Sequence, residues 1–180
     1  NYVENPDFSD TGELASLALA LEADPDNDSD LYISYGDVLF KQYILDILSD
    51  VDSPFAIVVD ADWRDSVNRG RAADYVRCTE PHSRHSFYQK VLLEDVAENI
   101  PENQIHGEWM GFLKVSSSAM PGFRAVVSKL MENPENRQAK LFKLLSELTS
   151  HQQEIQVMYT TGHWLDVDSV DDLVTAGSFA

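Results

Sequence analysis

The run "PFAIVVD" (Pro54 to Asp60) limits how this chain can fold more than any other stretch. From Phe55 to Val59 every side chain is apolar, so a strand built from them has no polar face to turn to water. Such a strand suits the centre of a layered sheet covered by helices on both sides. Just upstream, Leu31 to Tyr35 has strand character, and Val38 to Ser49 sets Phe40, Ile44, Ile47 and Leu48 along one helical face. Strand, helix and strand within roughly 30 residues make a βαβ unit.

The flanking segments fit that frame. Ser9 to Ala23 reads as a helix, with Leu14, Leu17, Ala18 and Leu21 on one face and Ser9 and Asp10 as capping candidates. "DPDNDSD" (Asp24 to Asp30) has no apolar residue and reads as a solvated loop. The charged stretch from Asp62 to Gln89 is expected to be irregular, with strand candidates only at Tyr75 to Cys78 and, at its end, Phe87 to Leu93. His106 to Ser116 is predicted as a strand, Pro121 to Met131 and Arg137 to Ser150 as helices, and Ile155 to Tyr159 as a strand. Trp164 to Val167 is predicted as a short extended piece, and "SVDDLVTAGSF" as a closing helix. The alternation predicts a single α/β domain over residues 1–180, a three-layer α/β/α sandwich around a mostly parallel, mixed sheet.

Charge narrows the function. The 31 acidic residues against 13 basic give a net charge of −18, which opposes broad contact with nucleic-acid backbones or anionic lipid. Cys78 is the only cysteine, so the sequence holds neither an intramolecular disulfide nor a cysteine-based zinc site. No apolar run is long enough to span a bilayer, and the first residues lack the basic flank and apolar segment of a signal peptide. A cytoplasmic protein that avoids nucleic acid and membrane is the expectation. A nucleotide remains compatible with this surface if a divalent cation or a local Lys or Arg neutralises its phosphates.

Ligands of open α/β sheets sit beyond the carboxyl ends of the strands. Asp37 follows the first predicted strand, Asp60 and Asp62 follow the central one, and Asp166 and Asp168 lie two apart on an extended segment. Carboxylates gathered on one rim repel one another unless a cation lies between them, and hard oxygen ligands suit Mg²⁺. The chemistry this points to is nucleotide phosphoryl or nucleotidyl transfer. Spacing alone leaves a plainer alternative open: Asp37 before Val38, and Asp168 with Ser169 before "VDDL", are good helix N-caps. His82 and His85 read as solvated loop histidines, since nothing supplies further zinc ligands. Glu108 and Trp109 are candidates to border a pocket for a cationic group, and Lys90 and Lys114 are candidate phosphate contacts. No glycine-rich phosphate loop or Walker lysine motif occurs.

Three stretches taken together, "ISYGDVLFKQYILDILSDVDSPFAIVVDADW", "GEWMGFLKVS" and "YTTGHWLDVDSVDDLVTAG", resemble the nucleotidyltransferase domain of the MobA-like and sugar-phosphate nucleotidyltransferase superfamily. The likeness is nearest to the domain fused to phosphoenolpyruvate mutase in phosphonate biosynthesis, related to phosphocholine and 2-aminoethylphosphonate cytidylyltransferases. It implies a Rossmann-like fold of the nucleotide-diphospho-sugar transferase type, with Asp37 in YGD and Asp166 and Asp168 in WLDVDS holding Mg²⁺. It implies Glu108 and Trp109 near the acceptor group, with Thr11 and Ser16 of "TGELASLALALEA" beside the same pocket. It implies CTP, or another nucleoside triphosphate, as donor and a phosphonate or phosphate as acceptor, with a fused or partner mutase domain. Sugar-1-phosphate and molybdopterin nucleotidyltransferases, and a non-catalytic nucleotide-binding or assembly module, are the alternatives. The family's opening strand and LAAGxGxR-type loop have no counterpart in these 180 residues. The resemblance therefore implies the C-terminal portion of such a domain, lacking its N-terminal βα units and inactive by itself.

Overall fold

A computed structural model describes residues 2–25, 29–66, 71–85 and 89–178. The chain runs α1 (Glu13–Ala23), β1 (Leu31–Ile33), β2 (Val38–Phe40), α2 (Tyr43–Asp50), β3 (Phe55–Asp60), β4 (Tyr75–Cys78) and β5 (Leu93–Ala97). It continues with β6 (Gly107–Val115), α3 (Met120–Glu132), α4 (Phe142–Ser150), β7 (Ile155–Thr160), β8 (Trp164–Asp166) and α5 (Val170–Ala176). The predicted strand ending at Leu93 begins only there, and its first residues, 87 and 88, lie outside the described ones.

β3 is buried along its whole length and sits between β6 and β7, as its sequence requires. Its two faces enter different cores. Phe55, Ile57 and Val59 pack with Leu14 of α1, Phe123 of α3 and Leu144 of α4, whereas Ala56 and Val58 pack with Ile44 and Leu48 of α2 and with Trp164. Strand side chains alternate between faces, so one apolar run supplies both cores of an α/β/α sandwich.

The sheet is mixed, but its parallel share is smaller than expected. Its order is β5-β4-β6-β3-β7, with β1 also on β6, and β3 with β7 is the one parallel ladder among the described residues. The reason lies in β6, which pairs antiparallel with β1 at Leu31↔Val115 and with β3 at Phe55↔Val115. β6 therefore lies between the two strands of the predicted βαβ unit and converts it to a split one.

A second difference decides how Asp37 is read. The predicted helix from Val38 is a strand over its first turn, because Val38, Leu39 and Phe40 pair with Asp166, Leu165 and Trp164. The helix starts at Tyr43, with Gln42 as its N-cap, so Asp37 caps no helix. Periodicity misplaced this boundary because Phe40 is in register with the helical face yet packs edge-on against Phe112 at 4.7 Å. At α1, likewise, Gly12 rather than Ser9 or Asp10 is the N-cap.

β6 carries an irregularity that shapes the site. Ile57 faces Leu113, but the next pair is Val59 with Trp109, so β6 has extra residues that bulge outward. The insertion is even, so Trp109 and Leu113 still share one core and Met110 and Phe112 the other. Gly111 at its centre has φ +78°, and the Tyr35 ring lies where its side chain would be. On this edge β1 pairs with residues 113–115 of β6 and β4 with 107–108, and Tyr35 fills the gap between them.

Gly111→Ala meets both a left-handed backbone and the Tyr35 ring. It is expected to destabilise the chain by about 1–3 kcal/mol in chemical denaturation. Tyr35→Ala introduced with it should restore only the part of that loss due to the clash.

Candidate functional site

The gap along β6 opens into a cleft of about 230 Å³. Its walls come from Tyr35, Asp37 and Val38, from Ala72, Ala73 and Asp74 before β4, from Glu108, Trp109 and Met110 of β6, and from Trp164, Asp166 and Asp168. Glu13 and Lys140 complete it. The rim gathers the ends of β1 and β3 and the starts of β4 and β6, because β6 runs against its neighbours.

The β2–β8 ladder places the first carboxylates. Val38 pairs with Asp166, and the Val167 amide donates to the Asp37 carbonyl at 2.9 Å, so the segments run side by side despite their distance in sequence. Carboxylate oxygens of Asp37, Asp166 and Asp168 lie within 4.8 Å of one another, with Asp37 and Asp168 exposed and Asp166 half-buried. Burial first, then the charges of Asp168 and Asp37, raise the pKa of Asp166. Hard anionic oxygens open to solvent fit Mg²⁺, which keeps waters and phosphate oxygens in its shell. Nitrogen and sulfur ligands, which favour zinc, are missing from the set.

Asp168 caps no helix either. Ser169 is the N-cap of α5, and it forms a reciprocal capping box with Asp172. Asp172 is buried and accepts from the amides of Asp168 (3.1 Å) and Ser169 (2.7 Å). The Ser169 hydroxyl, followed by other contacts that include Arg71, holds its pKa down.

Asp60 is drawn into the frame instead. Its carboxylate is 1% exposed and accepts from the amides of Asp62 (2.9 Å) and Gly162 (3.1 Å) and from Trp164 Nε1 (2.8 Å). It fixes the turn between β7 and β8, and so the approach of β8 to β2. Asp62 borders a neighbouring hollow with Lys41 and His163.

The inner wall is acidic as well. Glu108 has its pKa pushed up to about 7, by burial first and then by the charges of Asp60, Asp166 and Asp74. Asp74 is pushed up to about 6 by burial, against the hydrogen bond it accepts from the Tyr35 hydroxyl at 3.1 Å. Burial and the charges of Asp74 and Glu13 raise the Tyr35 pKa, so its phenol stays protonated. Trp109 lies against Tyr35 with the ring centroids 5.5 Å apart and the planes inclined at 54°, and it donates from Nε1 to the Phe112 carbonyl across the bulge.

The other expected site residues lie elsewhere. Thr11 and Ser16 both accept from the Asn5 side chain, and Thr11 borders a separate hollow between α1 and α3. The expected segment contributes Glu13 instead, one turn from Ser16 on the helix. Lys114 does not line the cleft: it is 5% exposed and donates to the carbonyls of Ser49 (3.2 Å) and Val51 (2.9 Å) at the end of α2. Lys90 pairs with Glu154 on the surface, and the His82 ring lies against Tyr159. Sequence reasoning missed Glu13, Tyr35, Asp74 and Lys140 as cleft residues. The signal for Tyr35 was its place in "YGD"; Asp74 lies before a strand rather than after one, where ligands were sought.

No protein-family model matches the chain, and no curated protein matches it by sequence. Among solved structures it is similar to the inositol-1-phosphate CTP transferase of T. maritima, with a TM-score of 0.69, 17% identity, and coverage of 98% of this chain. It is similar also to the CTP:phosphocholine cytidylyltransferase of Streptococcus pneumoniae (TM-score 0.55, 13% identity, 97% of this chain and 66% of that one). A third is the nucleoside-diphosphate-sugar pyrophosphorylase of Vibrio cholerae RC9 (TM-score 0.54, 14% identity, 91% of this chain and 64% of that one). The chain spans 63% of the length of the T. maritima protein. It shares the α/β fold of these proteins.

The raised carboxyls give a pH dependence with a definite sign. Between the ordinary carboxylate range and about pH 7 the folded chain holds protons on Glu108 and Asp74 that the unfolded chain has lost, so stability falls as pH rises. Asp30 and Asp172, whose pKa values are lowered, lose their contribution only below about pH 4, outside this window. In EDTA the thermal midpoint is expected to be higher at pH 5.5 than at pH 8, with Glu108→Gln reducing the difference. A midpoint that rises over that range contradicts this electrostatic description.

Proposed function

We propose that the chain is the metal- and acceptor-binding part of a Mg²⁺-dependent nucleotidyltransferase that transfers a nucleotidyl group to a small phosphonate or phosphate, with release of pyrophosphate. CTP is the favoured donor, and 2-aminoethylphosphonate or phosphocholine the favoured acceptor. The observation that carries the reading is the convergence of Asp37, Asp166 and Asp168 at the mouth of a cleft whose inner wall is also acidic. The names of the similar solved structures, and coverage of about two thirds of their length, support it.

Asp37, Asp166 and Asp168 hold the cation in this reading. Bound there, Mg²⁺ supplies charge neutralisation to phosphate oxygens as negative charge develops on them. The protein positions the acceptor. Glu108, Asp74 and Glu13, set around the faces of Tyr35 and Trp109, suit an ammonium group, since carboxylates and aromatic faces both attract cations. An ammonium beside Glu108 draws that carboxyl back to its charged form, so acceptor binding and deprotonation are linked. The Tyr35 hydroxyl orients Asp74. Among the described residues that line the cleft there is no serine, cysteine or histidine, and the step proposed is direct in-line attack by the acceptor oxygen, without a covalent enzyme intermediate.

The sugar-1-phosphate alternative draws on the same cleft, because carboxylates also accept hydrogen bonds from hydroxyls. A fused phosphoenolpyruvate mutase domain is the partner that the sequence resemblance proposes. Among the described residues no helix is long and apolar enough to cross a membrane.

Pyrophosphate release by the full-length gene product tests the reading. With CTP and either ammonium-bearing acceptor the wild type is expected to turn over in Mg²⁺ and to stop in EDTA. Asp37→Asn should lower kcat by at least about a hundredfold. Faster turnover with glucose 1-phosphate favours the sugar alternative. No turnover with any pair, alongside unchanged nucleotide binding by Asp37→Asn, favours a non-catalytic binding module.

A further inference from the structure

Arg71 stands at the head of the wall formed by Ala72, Ala73 and Asp74, and its guanidinium crosses to the opposite wall. Nη1 donates to the Asp166 carbonyl at 2.8 Å and lies 3.9 Å from a carboxylate oxygen of Asp168. Nη2 bonds to Oδ1 of the buried Asp172. The other oxygen of Asp172 accepts from the amides of Asp168 and Ser169 and from the Ser169 hydroxyl. One planar fork thus ties the backbone of one triad member to the carboxylate that holds the backbone of another.

We infer that Arg71 is a positioning residue for the acid triad, acting directly on Asp166 and through Asp172 on Asp168. The turn from Asp166 to Ser169 must present two carboxylates toward Asp37 against their mutual repulsion. The α5 capping box secures one side of that turn, and Arg71 secures the other.

Charge and position make opposite predictions here. A guanidinium this close to Asp168 repels any incoming cation, so if Arg71 acted only as a counter-charge, removing it would tighten cation binding. As the clamp of the turn, its removal loosens binding, by about tenfold or more for a group that orients metal ligands. Lysine separates the two further, since it keeps the charge but not the two-pronged geometry.

The experiment is Mn²⁺ binding by this chain, followed by calorimetry, for the wild type, Arg71→Gln and Arg71→Lys. It is paired with backbone amide exchange of Asp168 and Ser169 in EDTA. Both variants are expected to bind Mn²⁺ more weakly, Arg71→Gln by about tenfold or more and Arg71→Lys by less, and both should exchange the two amides faster than wild type. Unchanged or tighter Mn²⁺ binding by Arg71→Gln overturns the inference, as does unchanged amide exchange. The cation readout rests on the proposed metal role of the triad, whereas the exchange readout does not. If the wild type binds no Mn²⁺, that role fails on its own and amide exchange decides the part played by Arg71. Should Arg71→Gln fail to fold, Arg71→Lys and Asp172→Asn carry the same two measurements.

Discussion

Between Val38–Phe40 and Trp164–Asp166 runs a short antiparallel ladder, and the geometry of the cleft depends on it. It joins a segment that leaves the first strand of the sheet to one that follows the last. Three residues on each side cannot hold themselves together in water, so the ladder needs support. Trp164 and Val38 are buried in the core beneath it, Phe40 lies against Phe112, and Asp60 seizes the turn before β8 with an acceptor for Trp164 Nε1 and another for the Gly162 amide. A carboxylate buried at the end of the central strand is costly unless fully hydrogen-bonded, and here it is. Its role is to fix the position of β8 relative to β3, and through β8 the positions of Asp166 and Asp168.

Given that frame, the dominant force in the cleft is repulsion. Asp37, Asp166 and Asp168 face one another at the mouth, while Glu108, Asp74 and Glu13 crowd the interior. The chain offsets this in part with Arg71 at the mouth and Lys140 at the far wall, and in part by keeping Glu108 and Asp74 at raised pKa values. What remains is a cleft lined by like charges, whose repulsion a bound cation would relieve. A divalent ion at the mouth and an ammonium in the interior would each lower the energy of the same cluster. Their binding should therefore be coupled, each making the other's nearest carboxylates less able to repel.

The sequence showed the layered class of the fold because the Phe55–Val59 run permits few other arrangements, and both of its faces are covered as that run demands. It showed Asp37, Asp166 and Asp168 as candidates because strand ends and two-residue spacing are local signals. Non-local pairing was beyond it. Nothing in "GEWMGFLKVS" announces that this strand would insert between β1 and β3, separating two parallel strands by one antiparallel to both, or that Gly111 would seat Tyr35. The same limit explains Lys114, whose ordinary lysine character gives no hint that it would be buried to hold the end of α2. Thr11 and Ser16 were placed by resemblance, and the segment that carries them presents Glu13 to the cleft instead. Arg71 had no local signal, since its partners lie far along the chain.

The central claim is that three carboxylates from two distant segments form one cation site, and locating the ion tests it most directly. Crystals of the chain soaked in Mn²⁺ and measured at the manganese absorption edge would give an anomalous difference map. The account predicts a single strong peak bounded by the carboxylates of Asp37, Asp166 and Asp168, with open positions facing the cleft. A map with no peak there at a Mn²⁺ concentration that saturates calorimetric binding, or with its strong peak on other carboxylates, would contradict it.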